Sequence, residues 1–228
     1  MPNAKTIKNT FFSTFLTLSY KVKEVFYSIQ GEAYHTGNAT IFCRFSGCNL
    51  WSGREQDRAK AQCDFCDTDF VGTDGEGGGI FNNAAELVEH LIGFWPTKSS
   101  QKIIVEFTGG EPLLQLDKEL ILECQSNNIY ITVETNGTQV IPEGIDWVCV
   151  SPKANVKLSI QKADEIKIVY PQEGLNLKTY ENFDAQYYYL QVLDDDNIDE
   201  NRKKTIETCL SNPQWRMSVQ IHKTLKIK

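Results

Sequence analysis

The sequence predicts an α/β fold with a largely parallel sheet, and three observations lead there. Short runs rich in Val, Ile and aromatic residues recur along the chain, amphipathic helical stretches separate several of them, and polar or glycine-rich motifs follow directly behind the runs. In a parallel α/β barrel chemistry collects at the C-terminal ends of the strands. The motifs are expected there. Gln30-Gly31-Glu32 end the first run, Gly47-Cys48 the second and Thr108-Gly109-Gly110-Glu111-Pro112 the third; Glu134-Thr135-Asn136-Gly137, Ser151-Pro152-Lys153 and Gln191 end later ones.

In order, the strand-like runs are Val22–Tyr27, Thr40–Phe45, Ile103–Phe107, Tyr130–Glu134, Trp147–Val150, Glu165–Val169, Tyr187–Val192 and Arg216–Ile221. Helical patterning covers 84–95, with Asn83 as N-cap and Pro96 as stop, then roughly 116–125 and 200–210. The charged stretch Trp51 to Gln62 reads as a short surface helix. Gly72 to Gly79 lacks the Lys-Ser/Thr ending of a phosphate-binding loop and reads as a flexible connection. The acidic run from Asp194 lacks the calcium-loop spacing and reads as the acid-enriched start of a helix. No repeat or linker divides the chain, so 21–228 reads as one domain. Residues 1–20, with Lys5 and Lys8 before a short apolar stretch broken by hydroxyl residues, read as a poorly ordered extension rather than a cleaved leader.

At 228 residues the chain can bury a substantial core. A net charge of −7 speaks against a general nucleic-acid binder, and no run reaches the ~18–20 apolar residues that span a bilayer. Seven cysteines, an odd count in a chain of this size, point to a reducing cytosol rather than a disulfide framework.

Three of those thiols, Cys48, Cys63 and Cys66, are spaced C-x14-C-x2-C. Sets of four thiolates serve iron–sulfur clusters and many zinc sites; three on a [4Fe–4S] cluster would leave one iron open for a ligand. A zinc ion would need a fourth ligand, and Cys43 is the nearest. Ile41, Cys43 and Phe45 alternate onto one face of a strand, however, which reads Cys43 as a packed core residue. Cys124, Cys149 and Cys209 read as core residues too. Spacing alone leaves cluster and zinc open.

Together with the Gly-Gly-Glu turn behind the third run, this stretch resembles the cluster loop of radical S-adenosylmethionine (SAM) enzymes and, more narrowly, of the 7-carboxy-7-deazaguanine synthases of the queuosine pathway. Most of the superfamily uses C-x3-C-x2-C; some synthases carry the long insert seen here. The resemblance extends from about Val22 to the C-terminus. It implies an open, partial TIM-like barrel reduced in helices, with Cys48, Cys63 and Cys66 on a [4Fe–4S] cluster and Thr68 on Mg2+. SAM contacts are implied for Phe65, Asp67, Gly109, Gly110, Glu111, Ser151, Pro152 and Lys153. They are also implied for Gln191, Val192, Leu193 and Asp194, with Val192 standing where the family usually has Pro. Substrate contacts are implied for Ile29, Gln30, Gly31, Arg44, Thr108, Glu134 and Lys228, and His222 and Lys223 approach a C-terminus that closes over the substrate.

The implied reaction converts 6-carboxy-5,6,7,8-tetrahydropterin to 7-carboxy-7-deazaguanine with loss of ammonia, through abstraction of the C6 hydrogen by a 5′-deoxyadenosyl radical and ring contraction. The resemblance further implies a homodimer and an electron donor such as a flavodoxin-like protein. Two rival readings are a glycyl-radical activating enzyme, with an open site that consumes SAM, and a zinc-stabilised binding module without catalysis.

Overall fold

Successive side chains of a strand face opposite ways, and here the two faces differ in kind. On Ala39–Phe45 (β2) Ile41, Cys43 and Phe45 are fully buried in the apolar core, while Phe42 and Arg44 face the interior of a curved sheet. Ile103–Gly109 (β4) buries Val105 and Phe107 outward and carries Glu106 and Thr108 inward. Ile129–Thr135 (β5) buries Ile131 and Val133 and turns Glu134 inward. The core therefore lies between sheet and helices, and the concave face is polar. Cys43 is a packed residue, as its alternation predicts.

The structure, a computed structural model, describes residues 19–96 and 98–228. The expected N-terminal extension lies, through residue 18, outside the described residues; Tyr20 already opens the first strand, Tyr20–Ile29 (β1), its hydroxyl donating to Asp117. The other strands are Gly79–Phe81 (β3), Trp147–Val150 (β6), Lys162–Tyr170 (β7), Asp184–Val192 (β8) and Arg216–Ser218 (β9). They form one nine-stranded sheet in the order β3-β1-β2-β4-β5-β6-β7-β8-β9. From β2 to β9 every pairing is parallel, as the alternation of runs and helices predicts. The sheet does not close, and helices are few.

Helix Ala84–Ile92 (α1) starts where Asn83 accepts from the Glu86 N–H, and it ends at Ile92, with Gly93 as C-cap, three residues short of the predicted limit. Lys118–Ser126 (α2) is capped by Asp117, leaving Leu116 before the helix as a core residue. Ile198–Ser211 (α3) carries Asp199 and Glu200 in its first turn. The charged insert forms a 3-10 turn over Glu55–Lys60.

Three expectations need correction. β1 runs antiparallel to β2, pairing Ile29 with Ala39 and Val22 with Phe45, so Gln30–Glu32 emerge beside the start of β2 and not at the rim where the other motifs gather. The Gly-rich segment is no slack connection: Gly75 N–H donates to Lys23 O, and a Cβ on Gly78 would stand 2.1 Å from that oxygen, so its glycines permit close packing on β1 and its end becomes β3. The last predicted strand stops at Ser218 because the chain turns away. Ile221 N–H reaches Gly31 O, and a short helix Ile221–Leu225 (α4) follows. With Ala33 N–H on Ser218 Oγ and Gln220 Nε2 on Glu32, this belt fastens one side of the sheet to the other without strand pairing.

Candidate active site

Where the second strand ends, the chain enters the cysteine loop. A Cβ on Gly109, which has φ +139°, would stand 2.3 Å from Phe45 O, and one on Gly110 would stand 2.1 Å from Gly47 O. Only glycine lets the end of β4 approach this closely. Gly110 and Glu111 donate their N–H groups to Phe45 O and Gly47 O, locking the turn against the residue before Cys48. The insert braces the loop from the other side. Arg58 donates to Asp64 O (2.6 Å) and Cys66 O (3.1 Å), with its guanidinium 4.2 Å from the centre of the Trp51 ring. Nothing in the spacing announced that brace.

Cys48, Cys63 and Cys66 line one cavity of about 180 Å³, with Trp51, Phe65 and Lys153 in its wall. The Cys63 thiol hydrogen-bonds Cys66, which raises Cys63 and lowers Cys66 to about 6; burial raises Cys48. Among the described residues no three His, Cys, Asp or Glu side chains are grouped so as to hold a single metal ion. Thiolates on a [4Fe–4S] cluster each take a different iron, whereas structural zinc needs four ligands around one point. Cys43, the candidate fourth ligand, is buried on the core side of β2. The donor set fits a cluster.

Of the residues expected around SAM, Phe65, Asp67, Gly109, Gly110, Ser151, Lys153, Gln191, Val192, Leu193 and Asp194 line this cavity. Lys153 Nζ is held by Ser151 O (2.9 Å) and Oγ (2.8 Å). Glu111 and Pro152 line neither cavity. Glu111 is fully buried, its carboxylate taking Thr135 Oγ1 (2.7 Å), Leu113 N–H (3.0 Å) and Asn136 N–H (2.8 Å), so it ties the end of β4 to the end of β5.

A second cavity, about 490 Å³, opens alongside and is lined by Ile29, Gln30, Gly31, Arg44, Thr108, Glu134 and Lys228, every residue expected at the substrate. Thr68, Thr108, Glu134, Ser151 and Gln191 border both cavities. Arg44 Nε is paired with Glu24 at 2.9 Å, and Lys228 Nζ reaches Glu24 (3.2 Å) and Glu76 (3.0 Å). In the wall of the larger cavity, Lys223 Nζ bonds Asp67 (3.0 Å) and Asp194 (2.5 Å), and a Cβ on Gly31 would stand 2.3 Å from His222 Nδ1.

Sequence reasoning missed the charge beneath. Lys167, on β7 and almost wholly buried, lies between Glu32 (2.6 Å) and Glu134 (2.7 Å). Burial alone would discharge it, but Glu134 and Glu32 outweigh that and hold its pKa well above the ordinary value. Burial likewise opposes ionised Glu32, yet Lys167 leaves it below its usual range. Glu106 and Glu165 are pushed up, by burial first. The signal was present in Val-Glu-Phe and Ile-Lys-Ile: a charge inside an apolar strand marks a polar inner face.

An open α/β sheet with a three-thiol loop at its rim defines an enzyme of the radical SAM class. No family model matches the chain. It is 49% identical over 210 residues to the 7-carboxy-7-deazaguanine synthase of Burkholderia multivorans, covering 92% of this chain and 100% of that protein. To the synthase of Caulobacter vibrioides it is 50% identical over 208 residues, covering 91% and 99%. The crystal structure of QueE from Escherichia coli is similar with a TM-score of 0.64 at 26% identity, covering 89% of this chain and 94% of that one. The chain belongs to the 7-carboxy-7-deazaguanine synthase family.

Proposed function

We infer that this protein converts 6-carboxy-5,6,7,8-tetrahydropterin to 7-carboxy-7-deazaguanine with loss of ammonia, in queuosine biosynthesis. The observation that carries the reading is the shared wall: a thiol-lined cavity opens beside a larger, charged one across Thr68, Thr108, Glu134, Ser151 and Gln191. When bound, the cluster and SAM supply the one-electron chemistry that takes a hydrogen atom from the substrate. The chain's own part is to hold, orient and shield.

Cys48, Cys63 and Cys66 hold the cluster. The Gly109-Gly110 turn gives backbone access beside Cys48, and Lys153, fixed by Ser151, offers positive charge to the same cavity. Arg44 presents its guanidinium to the substrate carboxylate, a pairing suited to its planar fork. Glu134, steadied by Lys167, accepts from the amino-pyrimidinone edge. Thr68, at the junction, offers a hydroxyl to Mg2+, which takes few protein ligands and completes its shell with water or substrate oxygens. The same reading includes one domain over 21–228, a homodimer, a flavodoxin-like electron donor and a cytoplasmic location.

Anaerobic reconstitution tests it. About four irons and four sulfides per chain are expected, followed by ring-contracted product from SAM, reductant and the tetrahydropterin carboxylate. Zinc in place of iron, or 5′-deoxyadenosine formed in step with SAM loss and no deazaguanine, would overturn the assignment.

A further inference from the structure

Glu106 has no part in the chemistry above, yet it is the least satisfied acidic group facing the larger cavity. It sits mid-strand on β4, two residues before Thr108 on the same inner face, and is 4% exposed. Its Oε2 accepts from Thr132 Oγ1 at 2.6 Å and from Gln30 Nε2 at 3.4 Å. Its Oε1 is buried with no hydrogen-bond partner among the described residues. Lys167 gives its hydrogen bonds to Glu32 and Glu134 instead. Leaving a buried carboxyl oxygen unpaired is costly, and native proteins rarely tolerate it without a reason. A polar ligand atom entering the cavity would supply the missing partner.

We propose that Glu106 contacts the substrate, its Oε1 hydrogen-bonding the planar amino-pyrimidinone edge of the pterin beside Glu134. The inference rests on the substrate class assigned above. The groups facing Glu106 are Thr132 and Glu134 of β5, Glu165 and Lys167 of β7, and Gln30. Burial first, then Glu134, pushes the Glu106 carboxyl well above its ordinary range, which favours the protonated form, and a protonated carboxyl serves as a donor. Glu134, in its ion pair with Lys167, serves as an acceptor. A donor beside an acceptor matches the carbonyl and adjoining N–H of such an edge; two ionised carboxylates would not.

Glu106→Leu and Glu106→Gln test this in reconstituted protein. The Leu variant removes the polar contact and should raise both KM and the equilibrium Kd for the tetrahydropterin carboxylate at least tenfold, about 1.4 kcal/mol. The Gln variant keeps an N–H donor and should stay within about threefold of wild type by the same conversion. Iron content and SAM affinity should match wild type in both. If the Leu variant does not fold, the pH profile decides between wild type and Glu106→Gln. The wild-type KM should climb as pH rises through the Glu106 titration while the Gln variant stays flat, and parallel profiles would overturn the contact. A wild type that binds and converts the pterin, with a folded Leu variant unchanged in KM and Kd, overturns this contact alone. A wild type that neither binds nor converts it overturns the underlying reading and the contact with it.

Discussion

The two cavities share a wall but are built by opposite means. The thiols themselves come from one short stretch, the cysteine loop, seated on the turn after β4, and their placement depends on backbone approach: Gly110 has no room for a Cβ beside Gly47 O. The larger cavity draws its charge from β4, β5, β7 and the segment after β1, residues more than a hundred positions apart such as Glu32 and Lys167. A cofactor that brings its own reactivity needs little more than an anchor and close-fitting backbone. A polar substrate needs an electrostatic frame, and in a low-dielectric interior that frame must be neutralised internally.

The contrast can be tested at each end, starting where the effect is greatest. Replacing Cys48, Cys63 or Cys66 by Ala should abolish iron loading, while Cys43→Ala should load normally; iron and sulfide analysis reads the difference. Lys167→Met would leave the partly buried Glu32 and Glu134 without their cation and should cost about 3 kcal/mol in a denaturant titration. Adding Glu134→Gln should recover part of it, and a Lys167→Met protein as stable as wild type would show that the frame is not an electrostatic unit. Gly110→Ala forces the turn away from Gly47 and should cost about 1–3 kcal/mol by the same measurement, with reduced iron retention. Arg44→Lys keeps the charge but loses the planar fork; KM for the pterin should rise roughly tenfold with iron content unchanged.

The smallest effect concerns pH. Glu106 has a folded-state pKa above its ordinary 4.5, so its contribution is full below that value and declines as pH rises through the folded one. Glu106→Gln should therefore lose less stability than wild type as pH rises above 4.5. Glu32, shifted the other way, contributes above its ordinary value and loses that on acidification.

Legibility in the sequence followed the same division. The helices, the parallel strands and the outward packing of Cys43 were readable because hydrophobic periodicity and capping residues act locally. The cysteine loop and Gly-Gly turn were readable because their chemistry lies in consecutive residues. The direction of β1 was not, since an isolated strand carries no mark of parallel or antiparallel pairing. The Glu32–Lys167–Glu134 set was missed because its members come from separate segments, and nothing local to each shows which distant charge it will meet. The glycines at 75 and 78 were misread because close approach to a distant strand and simple slack use the same residue.

The belt that joins residues 31–33 to 218–221 has a consequence for the order of assembly. Its hydrogen bonds link residues as remote in sequence as Gly31 and Ile221, so the chain must close a very long loop to make them. Few in number and remote in sequence, they are the last to form and the first to part. In native-state deuterium labelling the amides of Ala33 and Ile221 should therefore exchange well before those of the central strands, making this seam the weakest cooperative unit of the fold.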